Sequence, residues 1–425
     1  PLPKGTAQAL TVDEFGGASW QELEAVTRHP PINADGSNTL LKVSTKSGRS
    51  VTATRAKGFL VVQEGKLIDK AGEDLQVGDY IPIIRTLPKM IATLTDSIDL
   101  ADYLCPTEYI FTNIMQQIHT QMQLETYLFS QYQDRVVYTH NDAIRAAFSQ
   151  SPYLRLPGLV FPKCHTSQVS GFPQTIQLTR DFGFFIGSYL AEGYTTDNQI
   201  YILNNDASYR KAVVAWPTKC GMNSQCTHPE KQLNDSKTLI PIIVNSTVTT
   251  RLLVSWCNEG DVIIHKRVPV FAYDAPIEFV HGLLDACICG NGLIATNGTI
   301  TINSHSKSLL EGLAMLCTRI DIIASLSCQN HMEKPQYSMH IEAQDAHQKV
   351  LPVIALTLEH QVKKLQASVT SSYATRHVYT HLKDVFLDPV STIQEVPSSR
   401  PHVYDLTVAK TRNMVTDSGL VQRDT

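Results

Sequence analysis

The chain has 425 residues, with 36 Lys and Arg against 40 Asp and Glu and a formal net charge of −4 at pH 7. It is 43% hydrophobic and 18% charged, a mixture that excludes a disordered or fibrous chain and, at this length, implies two or three cores. No apolar run approaches the ~18 residues of a membrane-spanning helix, no N-terminal signal peptide is visible, and the overall charge does not by itself point to nucleic acid.

Residues 1–90 show short alternating runs between turn signals at 13–17, 33–37, Gly48 and Gly78. Runs such as 43–45 and 50–54 alternate apolar and polar side chains, as half-buried strands do. Residues 109–131 lack Gly and Pro and are rich in Gln, Met, Ile, Leu and Tyr, which predicts a helix. Residues 141–148, NDAIRAAF, open on good N-cap chemistry and predict another. Residues 152–174 hold several Pro and Gly and read as a linker.

Two related segments follow. Residues 183–194 read GFFIGSYLAEGY, and residues 279–292 read FVHGLLDACICGNG. Gly187 and Ala191 stand four apart in the first, as do Gly282 and Ala286 in the second, so each predicted helix carries a flat stripe of small residues on one face. Each is followed by an alternating strand, a turn rich in Ser, Asp or Asn, and an amphipathic helix. This is an internal repeat over roughly 180–365. Residues 352–369 predict a closing helix, 370–388 a linker, and 392–425 a return to strands. The first and last segments are expected to meet as one all-β domain. Nine cysteines are scattered, and neither Cys220 with Cys226 nor Cys287 with Cys289 has the spacing of a structural zinc site, so reduced thiols are expected. Short basic runs at 42–49, 210–211, 265–267 and 363–364 suit either solvated surface or DNA phosphates.

The paired segments resemble the LAGLIDADG motif of homing endonucleases, FIGSYLAEG over 185–193 and VHGLLDACI over 280–288. The chain ends resemble the splicing blocks of inteins: PLPKGT over 1–6, GRSVTATRAKGFLVV over 48–62, DLQVGDYIPIIRTLP over 74–88 and HVYDLTVAKTRNMVTDSGLVQRDT over 402–425. Together they imply a multidomain chain. An all-β splicing domain of the intein/hedgehog (Hint) type would be formed by both ends, as 1–95 and 371–425. An α/β pseudo-two-fold LAGLIDADG endonuclease domain of αββαββα repeats would occupy 175–370. A helical insert or linker at 96–174 would serve DNA recognition.

The resemblance also implies which residues carry the chemistry. Splicing needs a first-residue nucleophile, a Thr-x-x-His pair, and a terminal Asn preceded by His and followed by Ser, Thr or Cys. Here Pro1 stands at the nucleophile's position and has no side chain that can attack. Thr54 is kept, but Lys57 replaces the His, and an ammonium near its usual pKa of about 10.4 is a poorer proton donor than imidazole at about 6.5. Arg423 and Asp424 stand at the penultimate and terminal positions, Thr425 at the first downstream position with a usable hydroxyl, and Asp405 at a position that helps stage the steps. Three explanations stay open: a chain altered to stop splicing, a natural remnant, or a route in which Thr425 attacks the upstream bond directly and Asp424 cyclises slowly.

In the nuclease half, a divalent ion such as Mg²⁺ would be held by acids at the two motif ends. Glu192 supplies one. Cys287 stands at the matching position and is a soft, mostly protonated substitute, while Asp285 lies about 200° round the helix from it. Lys266, before the second motif, matches a basic position near the scissile phosphate. The function expected is an intein with self-splicing and site-specific endonuclease modules and weak or absent cleavage. Its partners would be double-stranded DNA at the host-gene insertion site and the host-protein flanks (exteins), in an intracellular monomer with no membrane contact. The alternatives are a non-cleaving, sequence-specific DNA-binding protein of the same fold and an autoprocessing module without DNA function.

Overall fold

The computed structural model describes residues 7–33, 35–88, 96–104, 109–111, 159–162, 172–196, 198–226, 241–259, 265–330, 335–368 and 381–423. The N-terminal stretch forms β1 (Gln8–Val12), β2 (Ala18–His29), β3 (Thr39–Thr45), β4 (Ser50–Ala53), β5 (Gly58–Gln63), β6 (Lys66–Ala71) and β7 (Tyr80–Ile84). Short strands follow: β8 (Ser97–Asp99), β9 (Tyr109–Phe111), β10 (Leu159–Pro162), β11 (Phe172–Pro173) and β12 (Thr175–Gln177). Next come α1 (Arg180–Glu192), β13 (Gly193–Thr195), β14 (Gln199–Leu203), α2 (Ala207–Lys219), β15 (Asn223–Cys226), β16 (Pro241–Asn245) and α3 (Thr247–Cys257). The same order recurs in α4 (Ile277–Asn291), β17 (Gly292–Ile294), β18 (Ile300–Ser304), α5 (Lys307–Thr318), β19 (Ser325–Asn330) and β20 (Pro335–Ile341). A π-helical stretch at Ala346–Ile354 and α6 (Glu359–Ala367) precede β21 (His381–Leu382), β22 (Val385–Pro397), β23 (Val403–Val408), β24 (Asn413–Val415) and β25 (Val421–Arg423).

The chain divides into two compact units, Pro1–Leu94 with Ile264–Val268 and Asn291–Thr425, and Thr95–Ile263 with Pro269–Gly290. The division falls inside 175–370 rather than at its ends. In the first unit, strands from the two chain ends pair with one another: β2 with β23, β3 and β7 with β22, and β5 with β25. Alternation along β3 sends Leu41 and Val43 into a core with Phe59, Val61, Ile81, Ile83, Val390 and Leu420. The Asn413 side chain imitates a strand partner. Its Oδ1 accepts from the Val12 amide at 2.9 Å and its Nδ2 donates to the Val12 carbonyl at 2.7 Å. Arg49 is 2% exposed, with Nε donating to the Ser418 carbonyl at 2.9 Å and Nη1 to Ser47 Oγ at 2.8 Å.

The sheet β17-β18-β20-β19 belongs to this same unit. Helix α5 starts at Ser306, whose Oγ accepts from the Leu309 amide at 3.2 Å. Met315 of α5 packs against the cluster of Leu10, Val12, Ile84, Val385 and Val421. The Leu326 amide donates to the Ser47 carbonyl at 2.7 Å.

The second unit centres on α1, α2, α3, most of α4 and the sheet β13-β14-β16-β15. Thr179, Asp206 and Ser246 cap α1, α2 and α3. Phe182, Trp216, Trp256, Phe271 and Phe279 form one aromatic core.

Several elements differ from the sequence reading. The helix predicted over 109–131 starts as strand β9, and its remainder and the helix predicted over 141–148 lie outside the described residues. The predicted linker 152–174 contributes β10 and β11, because a short apolar run such as 159–161 pairs as readily as it loops. The closing helix is broken in two: a π-helix ends at Ala355, whose φ is +54°, and α6 starts four residues later. In 370–388, the described residues form β21 and the start of β22. Among the described residues no helix is long and apolar enough to cross a membrane.

Candidate functional site

The turn between β4 and β5 presents Thr54 and Lys57, tied together by a bond from the Lys57 amide to the Thr54 carbonyl at 3.1 Å. Lys57 is 6% exposed, and its ammonium makes an ion pair with the Asp405 carboxylate of β23. A buried ammonium needs such a partner, because its desolvation is otherwise unmet. The pair thus joins one chain end to the other at the wall of a cavity of about 650 Å³, to which Thr54, Lys57, His402, Asp405 and Gln422 all contribute.

Arg423 lies elsewhere. Successive side chains on a strand face opposite ways, so in β25 Gln422 faces the Lys57 cavity while Arg423 turns to a second cavity of about 460 Å³. There its guanidinium donates to the Thr411 carbonyl at 2.9 Å and pairs with Asp69 at 3.1 Å. The sequence reading took Arg423 and passed over Gln422: the period of two along 421–423 separates the two faces, but which face meets Lys57 is set by the pairing of β25 with β5. Gln422 is 6% exposed, and its Nε2 has no hydrogen-bond partner among the described residues. Pro1, Asp424 and Thr425 lie outside the described residues.

The paired motif helices are in van der Waals contact. A Cβ on Gly183 would lie 2.0 Å from the Phe279 carbonyl oxygen and 3.1 Å from the Leu283 nitrogen. A Cβ on Gly282 would lie 2.1 Å from the Arg180 carbonyl oxygen and 2.9 Å from the Phe184 nitrogen. One displacement along the chain therefore relates 180 to 279, 183 to 282 and 184 to 283. The same displacement relates Gly187 to Ala286, which pack together, and Ala191 to Gly290, which also pack together. It carries Glu192 to Asn291 and Gly193, where β13 begins, to Gly292, where β17 begins.

This corrects the role expected of Cys287. Each stripe has three small residues at steps of four, Gly183-Gly187-Ala191 and Gly282-Ala286-Gly290, so an alignment slipped by one step still matches small to small. Cys287 is 2% exposed inside the helix pair, with Sγ against the Gly187 carbonyl at 3.5 Å. Asp285 is fully buried and meets Arg180 at 3.0 Å and Cys289 Sγ at 3.2 Å. Glu192 is partly exposed at the end of α1, near the buried hydroxyl of Tyr209. Burial pushes the Tyr209 pKa well above the usual phenol value, keeping it a donor to the Ala286 carbonyl at 3.1 Å. Lys266 is 9% exposed, and its carbonyl accepts a bond from Ser306 Oγ.

Among the described residues no group of three or more His, Cys, Asp or Glu could hold a metal ion. The first motif ends on a carboxylate, Glu192, and the second carries the amide Asn291 at the corresponding position, so by residue type the two motif ends do not supply the pair of acids expected for Mg²⁺.

Over 317 residues the chain is 27% identical to the DNA-directed RNA polymerase subunit Rpo1C of Methanocaldococcus jannaschii, covering 74% of this chain and 30% of that protein. Over 371 residues it is 22% identical to the DNA polymerase II large subunit of Haloquadratum walsbyi, covering 79% of this chain and 16% of that protein. The chain thus spans less than a third of either relative. The crystal structure of I-DmoI in complex with DNA and Mn superposes with a TM-score of 0.33 at 11% identity, covering 43% of this chain and all of that one. The model of the intein splicing domain matches residues 19–423, so this chain belongs to the intein splicing domain family.

Proposed function

We propose that the chain is an intein whose Hint-type splicing centre is the Lys57–Asp405 cavity, with an embedded αββαββα homing-endonuclease domain that recognises double-stranded DNA at the host-gene insertion site. The observation that carries the splicing reading is the convergence of Thr54 and Lys57 from one chain end with Asp405 and Gln422 from the other. An element order repeated after each motif helix supports the second module.

In this reading Asp405 holds Lys57 as a fixed positive charge beside Thr54, where it polarises the upstream junction carbonyl. With no nucleophile at Pro1, the Thr425 hydroxyl attacks that carbonyl, forming an ester as the Pro1 nitrogen leaves with a proton. Asp424 then attacks its own main-chain carbonyl, giving a cyclic anhydride and releasing the Thr425 amine. A carboxylate is the poorer ring-closing group, so this step is slow.

The test is a precursor carrying host residues on both sides, followed by gel and mass spectrometry. Slow C-terminal release with little ligation is expected, and Asp424→Asn, which restores an amide as the ring-closing group, should speed release by roughly tenfold or more. Rapid, complete ligation by the unmodified chain would contradict the roles given to Pro1 and Asp424. No release from the restored precursor would overturn the splicing reading.

A second reading, DNA binding without cleavage, is favoured by Asn291 at the counterpart of Glu192. Binding in Ca²⁺ without cleavage in Mg²⁺ or Mn²⁺ is its expected signature.

A further inference from the structure

Strand β25 leads directly into Asp424 and Thr425, yet it has few contacts of its own. It is three residues long, with three registered pairs to β24 and one, Gln422 opposite Phe59, to β5. A strand held by so few pairs opens locally at little cost. The turn over 416–420, which joins it to β24, is held more firmly. There the Thr416 amide donates to the Leu420 carbonyl at 2.8 Å, the Ile84 amide donates to the Gly419 carbonyl at 2.8 Å, and Arg49 Nε donates to the Ser418 carbonyl at 2.9 Å. Arg49 is 2% exposed and is braced by Nη1 on Ser47 Oγ at 2.8 Å. Ser47 is braced in turn: its amide donates to both oxygens of the fully buried Asp388 carboxylate at 3.3 Å, and its carbonyl accepts from the Leu326 amide at 2.7 Å. On α5, burial raises the Glu311 pKa, and Arg49 is among the charges that oppose the rise, so the guanidinium stands close to that helix as well. A buried guanidinium carries a desolvation cost that an apolar side chain of equal volume would not. What it supplies is a rigid fork of donors that fixes the acceptors around it in one arrangement.

We propose that Arg49 is a positioning residue for the C-terminal step of splicing, fixing through the Ser418 carbonyl the strand that leads to the junction. Arg49 touches no reacting atom. Residue 424 follows a few positions after Ser418, and ring closure there succeeds only from a near-attack geometry that a small misplacement abolishes. Arg49 ties that geometry to the β3–β4 turn, and through Ser47 to Asp388 of β22 and Leu326 of β19. The assignment rests on the splicing reading for the chemistry of the step, while the hold on β25 stands on the contacts themselves.

The test uses the full-length precursor with Asp424→Asn. The side-chain amide introduced there attacks the main-chain carbonyl of residue 424, a C–N bond forms, the peptide bond to Thr425 breaks, and the proton passes to the released amine. Release is followed on a gel, well below the melting temperature of every variant. Arg49→Met keeps an unbranched stem and removes every donor, and should slow release by roughly tenfold. Arg49→Lys keeps a charge without the fork, and should slow it by roughly threefold. Leu365→Ala, which opens a cavity at a fully buried position of α6, is the stability control and should release within about twofold of the parent precursor. Deuterium exchange gives a readout independent of splicing. Arg49→Met should speed exchange over 416–423 by roughly tenfold while β5 and β6 exchange as in the parent. Release by Arg49→Met at the parent rate, equal slowing by Leu365→Ala, or exchange rising alike over 416–423 and β5–β6 would each overturn the proposal. If Arg49→Met does not fold, the release rate and exchange of Arg49→Lys decide by the same criteria. An inert parent precursor whose 416–423 segment still loosens selectively in the Arg49 variants would sink the splicing reading and leave the hold of Arg49 on β25 standing.

Discussion

Lys57 and Asp405 have side chains only 8% and 14% exposed, so each is the condition for burying the other. Asp405→Ala leaves an ammonium in a poorly hydrated wall and should cost about 3 kcal/mol. A double change to Lys57→Met with Asp405→Leu should recover most of that loss, because it removes both charges together. Chemical denaturation of the two variants checks this, and equal destabilisation by both would show that the pair's value is not electrostatic. Cys287 raises the opposite case. It is a thiol in a tight helix pair, and Cys287→Asp would bury an unmatched carboxylate against the Gly187 carbonyl. It should lower the unfolding temperature steeply and give no gain in DNA cleavage. Asn291→Asp should leave stability nearly unchanged and raise nicking or cleavage of the insertion-site DNA in Mg²⁺ or Mn²⁺. Gain from Cys287→Asp with none from Asn291→Asp would refute the register.

That register shows how far the sequence of these elements is legible. The small-residue stripe announced a helix pair, and Gly183 and Gly282 do meet the facing backbone as the spacing requires. The stripe has a four-residue repeat of its own, so spacing alone could not say which turn matches which. The start of the following strand decides it, and the alternation at 292–294 is too short to be read alone. For the terminal segments the strand pattern was legible from VYDLTV. The side of β25 that faces Lys57 was not, because it depends on pairing with β5, more than three hundred residues away in the chain. At the same scale, the second repeat's sheet should respond to mild acid. His340 of β20 contacts Thr301 Oγ1 at 3.0 Å and Ser327 Oγ at 2.9 Å. Burial lowers its pKa below the ordinary imidazole value, outweighing the opposite pull of Glu342. A ring held neutral contributes stability that is present above its unfolded value of about 6.5 and is lost as pH falls through the folded value. The unfolding temperature should therefore drop between pH 7.5 and 5, and His340→Gln should flatten that drop.

At the scale of the molecule, the first unit fastens the β17-β18-β20-β19 sheet to the strands of both chain ends. Gly48 is one fastening point. Its φ is +81°, and a Cβ there would lie 1.6 Å from the Leu326 carbonyl oxygen. Gly48→Ala should cost about 2 kcal/mol or more, seen as a lower denaturant midpoint at unchanged slope. A second is Arg85, which meets Asp321 at 3.0 Å, with Lys349 at 3.1 Å from the same carboxylate. Burial would raise Asp321, but the bonds from Arg85 and Lys349 hold it below the usual carboxylate range. This contact should weaken only as pH falls below about 4.

The pairing of β2 with β23 and of β3 with β22 sets a timetable as well as a topology. A ribosome adding roughly 5–20 residues per second needs on the order of 20–75 s to make the chain between β2 and β23. During that interval the long β2 and β3 ribbons stand with an unfilled edge, a template for any other extended chain. The last strands are both the final piece of the fold and the carriers of Asp405 and Gln422. The cavity therefore comes into existence only when translation has passed them, and its chemistry is timed by synthesis itself.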